Sequence, residues 1–138
     1  MKKIFLLLAV LLFSFNTQAQ DVEKSDSAIV TKETIFNEVE VKPEFPGGNV
    51  ALMGYLRDNV KYPSEALAEK KQGRAIVKFI VEKDGTITES TIIKSTGDIY
   101  LDTEALRVVN KMPKWTPGQQ NGKAVRVFFH LPITFKLN

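Results

Sequence analysis

The chain contains no cysteine and a single histidine, His130. Without cysteine there is no disulfide staple, no thiolate nucleophile and no lipid attachment through an N-terminal cysteine. A zinc centre would have to be rich in carboxylates, because the usual cysteine and histidine ligands are missing. Excess charge is also scarce. The net charge is +3, and it falls to +1 without Lys2 and Lys3, so the basic face expected of a nucleic-acid binder is not present. Proline is missing throughout residues 21–42.

What remains is an ordinary globular composition. In 138 residues, 43% hydrophobic and 25% charged side chains suit one domain with one core. The first twenty residues, MKKIFLLLAVLLFSFNTQAQ, stand apart. Two lysines, an apolar stretch from Ile4 to Phe13 and a polar end with Thr17-x-Ala19 have the layout of a cleavable signal peptide. Even extended to Phe15, the apolar stretch is short of the ~20 residues a spanning helix needs. The expected organisation is a signal peptide over 1–20, a flexible lead-in over 21–42 with a short strand around Ile35–Val41, and a folded domain over 43–138.

Within that domain, "PGG" at 46–48 lacks the lysine and spacing of a phosphate loop and reads as a turn, with Asn49 capping a helix. Leu52, Leu56 and Val60, with Met53 and Tyr55 beside them, make the helix amphipathic. Pro63 opens a second helix that Gly73 is expected to stop. Ala75, Val77, Phe79 and Val81 then alternate as one face of a strand, and Asp84-Gly85 predicts a two-residue hairpin. In the return strand Ile87 and Ile92 are an odd number apart, so a bulge is expected between them. Asp98 or Asp102 can cap a helix bearing Leu101, Ala105, Val108 and Met112, ended by Pro113.

The closing strand, about Ala124 to Leu137, places Val125, Val127, Phe129, Leu131, Ile133, Phe135 and Leu137 on one face. Pro132 interrupts it and cannot donate a ladder hydrogen bond, so this strand is expected at a sheet edge. The order of helices and strands predicts an α+β fold: a three-stranded antiparallel sheet with helices packed on one face.

Tyr62, Pro63, Ala66, Gly73, Asp84, Gly85, Ser95, Gly97, Leu101, Asp102, Ala105, Leu106, Trp115, Pro117, Gly118, Pro132 and Phe135 together resemble the TonB C-terminal domain family in order and spacing. The resemblance covers about residues 43–138 and implies a two-layer sandwich that is a periplasmic binding module, not an enzyme, and needs no cofactor or metal. It implies a partner too: the periplasmic segment of an outer-membrane transporter or another envelope protein, whose extended peptide joins the last strand by β-augmentation. The expected peptide-binding residues are Val125, Arg126, Val127, Phe128, Phe129, His130, Leu131 and Thr134, with pairing mainly along Val125–Leu131. Of these, Arg126, Phe128, His130 and Thr134 are expected to offer side chains. The same edge could instead serve a homodimer.

Energy transducers of this family have a membrane anchor and a proline-rich spacer. The cleavable leader and the proline-free lead-in suit instead an exported protein using the same docking surface. The alternatives are an anchored transducer with an uncleaved leader, at the periplasmic side of the inner membrane, and a periplasmic hydrolase. For the latter, His130, Glu65 and Glu69 are better explained as a solvent-facing strand residue and solvated helix charges.

Overall fold

The computed structural model describes residues 33–138. The expected leader and the first part of the lead-in fall outside the described residues. Along the chain come β1 (Ile35–Phe36), α1 (Gly48–Asn59), α2 (Ser64–Ala68), β2 (Gly73–Val81), β3 (Ile87–Lys94), α3 (Ile99–Asn110), β4 (Gly118–Gln120) and β5 (Lys123–Phe135). The fold is α+β, as expected.

The three expected antiparallel strands are β3, β2 and β5, with β2 central. Ala75, Val77, Phe79 and Val81 are each 0% exposed, so the alternation in β2 does bury one face. Val127, Leu131, Ile133 and Phe135 of β5 close the same layer. From the helices, Leu52 of α1 and Leu101, Ala105 and Val109 of α3 complete it. The opposite phase of the sheet carries Lys78, Glu82, Arg126, Phe128 and His130. Ile80 belongs to that phase as well, yet it is 1% exposed, flanked in register by Phe128 and Thr88.

The bulge between Ile87 and Ile92 is present, and a second one lies nearer the strand end. From Ile80↔Thr88 to Lys78↔Thr91 the partner strand advances one residue more than β2, and Glu89 takes the extra step at φ 51. Ile87 and Ile92 thereby sit opposite Val81 and Val77, and both pack on the core.

Several local expectations are corrected. The first helix is capped by Gly47 at φ 90 and not by Asn49, because the glycine turn already brings the chain in at that angle. Gly73 does not stop the second helix: α2 ends at Ala68, Lys70 turns the chain at φ 54, and Gly73 begins β2. A side chain at Gly73 would meet Thr96 at 2.9 Å, which is why the position is a glycine. Asp98 caps α3 by accepting from the Tyr100 and Leu101 amides, whereas Asp102 accepts from Thr96 N, at 2.9 Å, and from the Ser95 and Thr96 hydroxyls.

The Asp84-Gly85 turn is also not a two-residue hairpin. Glu82 N donates to Thr86 O and Gly85 N to Glu82 O, with positive φ at Gly85 alone, the pattern of a three-residue loop closed by a left-handed glycine. Meanwhile Asn121-Gly122, at φ 55 and 77, forms the two-residue hairpin that joins β4 to β5. The strand expected around Ile35–Val41 reduces to β1 and a bridge from Val41 to Gln119.

Candidate functional site

The direction of each backbone group on β5 follows from the ladder. Glu82 N donates to β3's side of the sheet, at Thr86 O, so the even positions of β2 face β3 and its odd positions face β5. Odd positions of β2 pair with odd positions of β5, from Gly73↔Phe135 to Val81↔Val127 without a register break. The even residues of β5 therefore turn their backbone groups to the opposite edge. Pro132 agrees: a residue without an N–H fits an uninterrupted ladder only where its nitrogen points away from the paired neighbour.

Part of that edge is taken. β1 pairs with it in parallel, Ile35 with Arg126 and Phe36 with Val127. Beyond the Phe128 amide, which the parallel step opposite Phe36 uses, no strand among the described residues pairs with the outward groups as far as Thr134. Those groups are the Phe128 carbonyl and the N–H and carbonyl of His130 and Thr134, with Pro132 contributing a carbonyl but no donor.

Two clefts flank this stretch. One, of about 300 Å³, lies between Asn37–Val39, Lys42 and Pro43 on one side and Val127–His130 on the other. The second, of about 370 Å³, lies between α1 and the far end of β5; Met53, Leu56, Arg57, Val60, Pro132, Ile133 and Thr134 line it.

The expected side chains divide into three groups. Val127 and Leu131 are buried, Val125 is half-buried against β4, and Phe129 stacks in the core, its ring 5.5 Å from Phe79 and 4.9 Å from Trp115. Arg126 is engaged across the sheet: its Nε and Nη2 donate to Glu82 at 2.7 and 3.1 Å. The Arg126 hydrogen bond holds the Glu82 carboxyl below the usual glutamate range, against the opposing effect of burial and with help from Thr88. Phe128 is half-buried with the Lys78 ammonium 4.1 Å from its ring centroid, while His130 lies opposite Lys78 and is exposed, as is Thr134 further along. Phe128 and His130 are thus brought together with Lys78, and Thr134 stands by the second cleft. Glu65 and Glu69 are exposed on the surface.

The walls of both clefts escaped the sequence. The available signal was Met53, an apolar residue of α1 that lines the second cleft and remains 51% exposed. Phe45 was missed as well; it is buried with its ring edge-on to Trp115 at 5.8 Å, and so anchors the segment leading into α1.

Comparison with known proteins places this geometry among relatives. The family described as Gram-negative bacterial TonB protein C-terminal matches residues 58–137, more than half of the chain. Protein TonB of Haemophilus influenzae is 35% identical over 60 residues, covering 44% of this chain and 22% of that protein. Protein tonB2 of Pseudomonas aeruginosa is 30% identical over 86 residues, covering 62% of this chain and 32% of that protein. The chain therefore aligns with less than a third of the length of either relative. Among solved structures, the Pseudomonas aeruginosa TonB C-terminal domain superposes with a TM-score of 0.51 at 23% identity, over 78% of this chain and 97% of that one. The Helicobacter pylori TonB C-terminal domain gives 0.51 at 22% identity, over 64% and 79%. These likenesses concern the fold.

Proposed function

Because the chain belongs to the family of Gram-negative bacterial TonB C-terminal domains, interaction modules and not enzymes, we propose that it is a periplasmic protein-binding module whose guest is an extended peptide added as a strand to β5. The guest is a periplasmic segment of an outer-membrane transporter or of another envelope protein, and docking serves TonB-linked transport across the outer membrane. One observation carries this reading: a run of unpaired, outward-facing backbone groups from the Phe128 carbonyl to Thr134, in a strand whose other side is fully laddered. Such a row accepts a guest strand, with backbone bonds supplying affinity and alternate side chains supplying selectivity.

The register differs from the one the sequence alone suggests. Arg126 and Val127 already pair with β1, so the guest runs along Phe128–Thr134 and passes Pro132 instead of stopping there. The competing edge of the sheet, β3, carries two bulges that break the regular spacing a guest strand needs.

Synthetic peptides from the periplasmic N-termini of outer-membrane transporters, titrated into the full chain, test the proposal. Binding should be lost when alternate guest residues in one phase are N-methylated and kept when the other phase is methylated. Equal binding by both methylated sets, or no binding by any peptide, would overturn it. A second copy of the chain on the edge would instead appear as a concentration-dependent dimer that these peptides fail to dissociate.

A further inference from the structure

We propose that one end of the molecule, where β2 begins and β3 and β5 finish, docks on the surface of a bilayer rich in anionic phospholipid. Neither cleft beside β5 is lined by the residues involved, and the inference stands whether or not a guest strand binds.

The register brings this end together. Gly73 pairs with Phe135, and a side chain at Gly73 would meet Thr96 at 2.9 Å, so the start of central β2 lies between the last residues of β3 and β5. The exit of α2 reaches the same place, because Tyr62 stands edge-on to Phe135 at 5.9 Å and its hydroxyl donates to Lys71 O. The first turn of α3 follows directly from Thr96, whose hydroxyl donates to Asp98 O.

Two kinds of exposed side chain accumulate there. Leu67, Ile93 and Tyr100 are half exposed and Ile99 is 70% exposed. These are four of the seven large apolar residues left in water among the described residues, so the exposure is concentrated and not scattered. Around them stand Lys70, Lys71, Arg74, Lys94 and Lys136, all exposed and none in an ion pair among the described residues. Asp98 and Asp102 at the same end turn inward, to the Tyr100, Leu101 and Thr96 amides. Glu65 and Glu69 remain as the exposed acids, and the cations outnumber them.

The cations come from separate elements and do not line one pocket, whereas a compact anion is held by convergent donors in a concave site. Dispersed cations around aliphatic side chains match a bilayer surface, which offers phosphates outside and acyl chains beneath. Leu67, Ile93 and Ile99 enter the boundary between headgroups and acyl chains, and Tyr100 takes the interfacial level that suits an amphipathic ring. A second copy in a two-fold contact would instead bring the same positive excess to this end, where like charges oppose each other.

The test titrates the full chain with phosphatidylcholine vesicles, with and without phosphatidylglycerol, and locates contact by the broadening of amide signals from a headgroup spin label. The stretch from Ile4 to Phe13 is common to every variant, so differences between variants report the folded domain. Phosphatidylglycerol should strengthen partitioning, and the gain should vanish near 1 M salt, where the screening length falls to about 3 Å. Broadening should centre on residues 67–74 and 93–100. Lys70→Gln with Lys71→Gln should weaken the anionic component by about an order of magnitude. Leu67→Ser with Ile99→Ser should weaken it by about the same factor. Lys111→Gln with Lys123→Gln removes equal charge at the far ends of α3 and β5 and should change it less than about twofold. All these side chains are exposed, so unchanged thermal midpoints establish that the variants are folded. Equal losses in the two lysine pairs, or broadening confined to the first twenty residues, would overturn the proposal. So would release from the vesicles by free glycerol phosphate, or a dimer that vesicles do not dissociate and Ile99→Ser does.

Discussion

Glu104 is an acidic side chain that the core has taken in, only 8% exposed on α3. Burial works against its charge, but hydrogen bonds from Arg107 and from the Lys61 amide at 2.7 Å outweigh that and hold its carboxyl below the usual glutamate range. Arg107 in turn donates to Asn59 O at 3.0 Å, so the pair ties the end of α1 to α3. A carboxyl whose folded pKa is lowered contributes stability that is complete above its unfolded pKa and is lost as pH falls through the folded value. Glu104→Ala should therefore cost about 1–3 kcal/mol at neutral pH. In urea unfolding, the gap to wild type should narrow steadily below about pH 4.5. A gap that stays constant into acid would mean the ionised carboxylate is not what stabilises the helix pair. Gly85 sets a constraint of a different kind: an added Cβ would lie 2.0 Å from Trp115 O, so the turn admits no side chain.

At the scale of elements, β5 has two kinds of backbone position, and proline tells them apart. Pro132 shows that an outward position tolerates the missing donor. His130→Pro, in the same phase, should leave thermal stability within about 1 kcal/mol and abolish peptide binding. Phe129→Pro, one residue away, removes a bond to β2 and a core ring and should cost about 3 kcal/mol or more. If the two variants unfold alike, the phase assignment is wrong. Much of this strand was legible in the sequence, because seven alternating apolar residues admit one buried face and Pro132 marks an edge. β4 was not: Gly118-Gln119-Gln120 offers no apolar alternation, and only the Asn121-Gly122 turn hints at it. β1 is two residues long and depends on a partner some ninety positions away, which no local pattern encodes. Arg126 was read as a recognition group for the same reason, since its partner Glu82 lies on another strand, 44 residues earlier.

Taken as a molecule, the described residues form a sheet with unequal edges. β3 is bulged twice, with Glu89 in a left-handed conformation and Ile93 half exposed. The outer edge of β5 is regular from Phe128 to Thr134 and is bordered by a cleft at each end. No helix among the described residues is long and apolar enough to cross a membrane. The likeness to the TonB C-terminal domains was readable from dispersed residues such as Tyr62, Pro63 and Phe135, because turns and core contacts impose their spacing. The clefts were not readable, because they arise where α1 and the 37–43 segment happen to border an edge. Amide hydrogen exchange of the full chain, with and without a saturating periplasmic transporter segment, tests strand addition most directly. The predicted result is new protection at His130 and Thr134, little change at Phe129, Leu131 and Ile133, and none along β3. New protection along Ile87–Lys94, or none on β5, would contradict it.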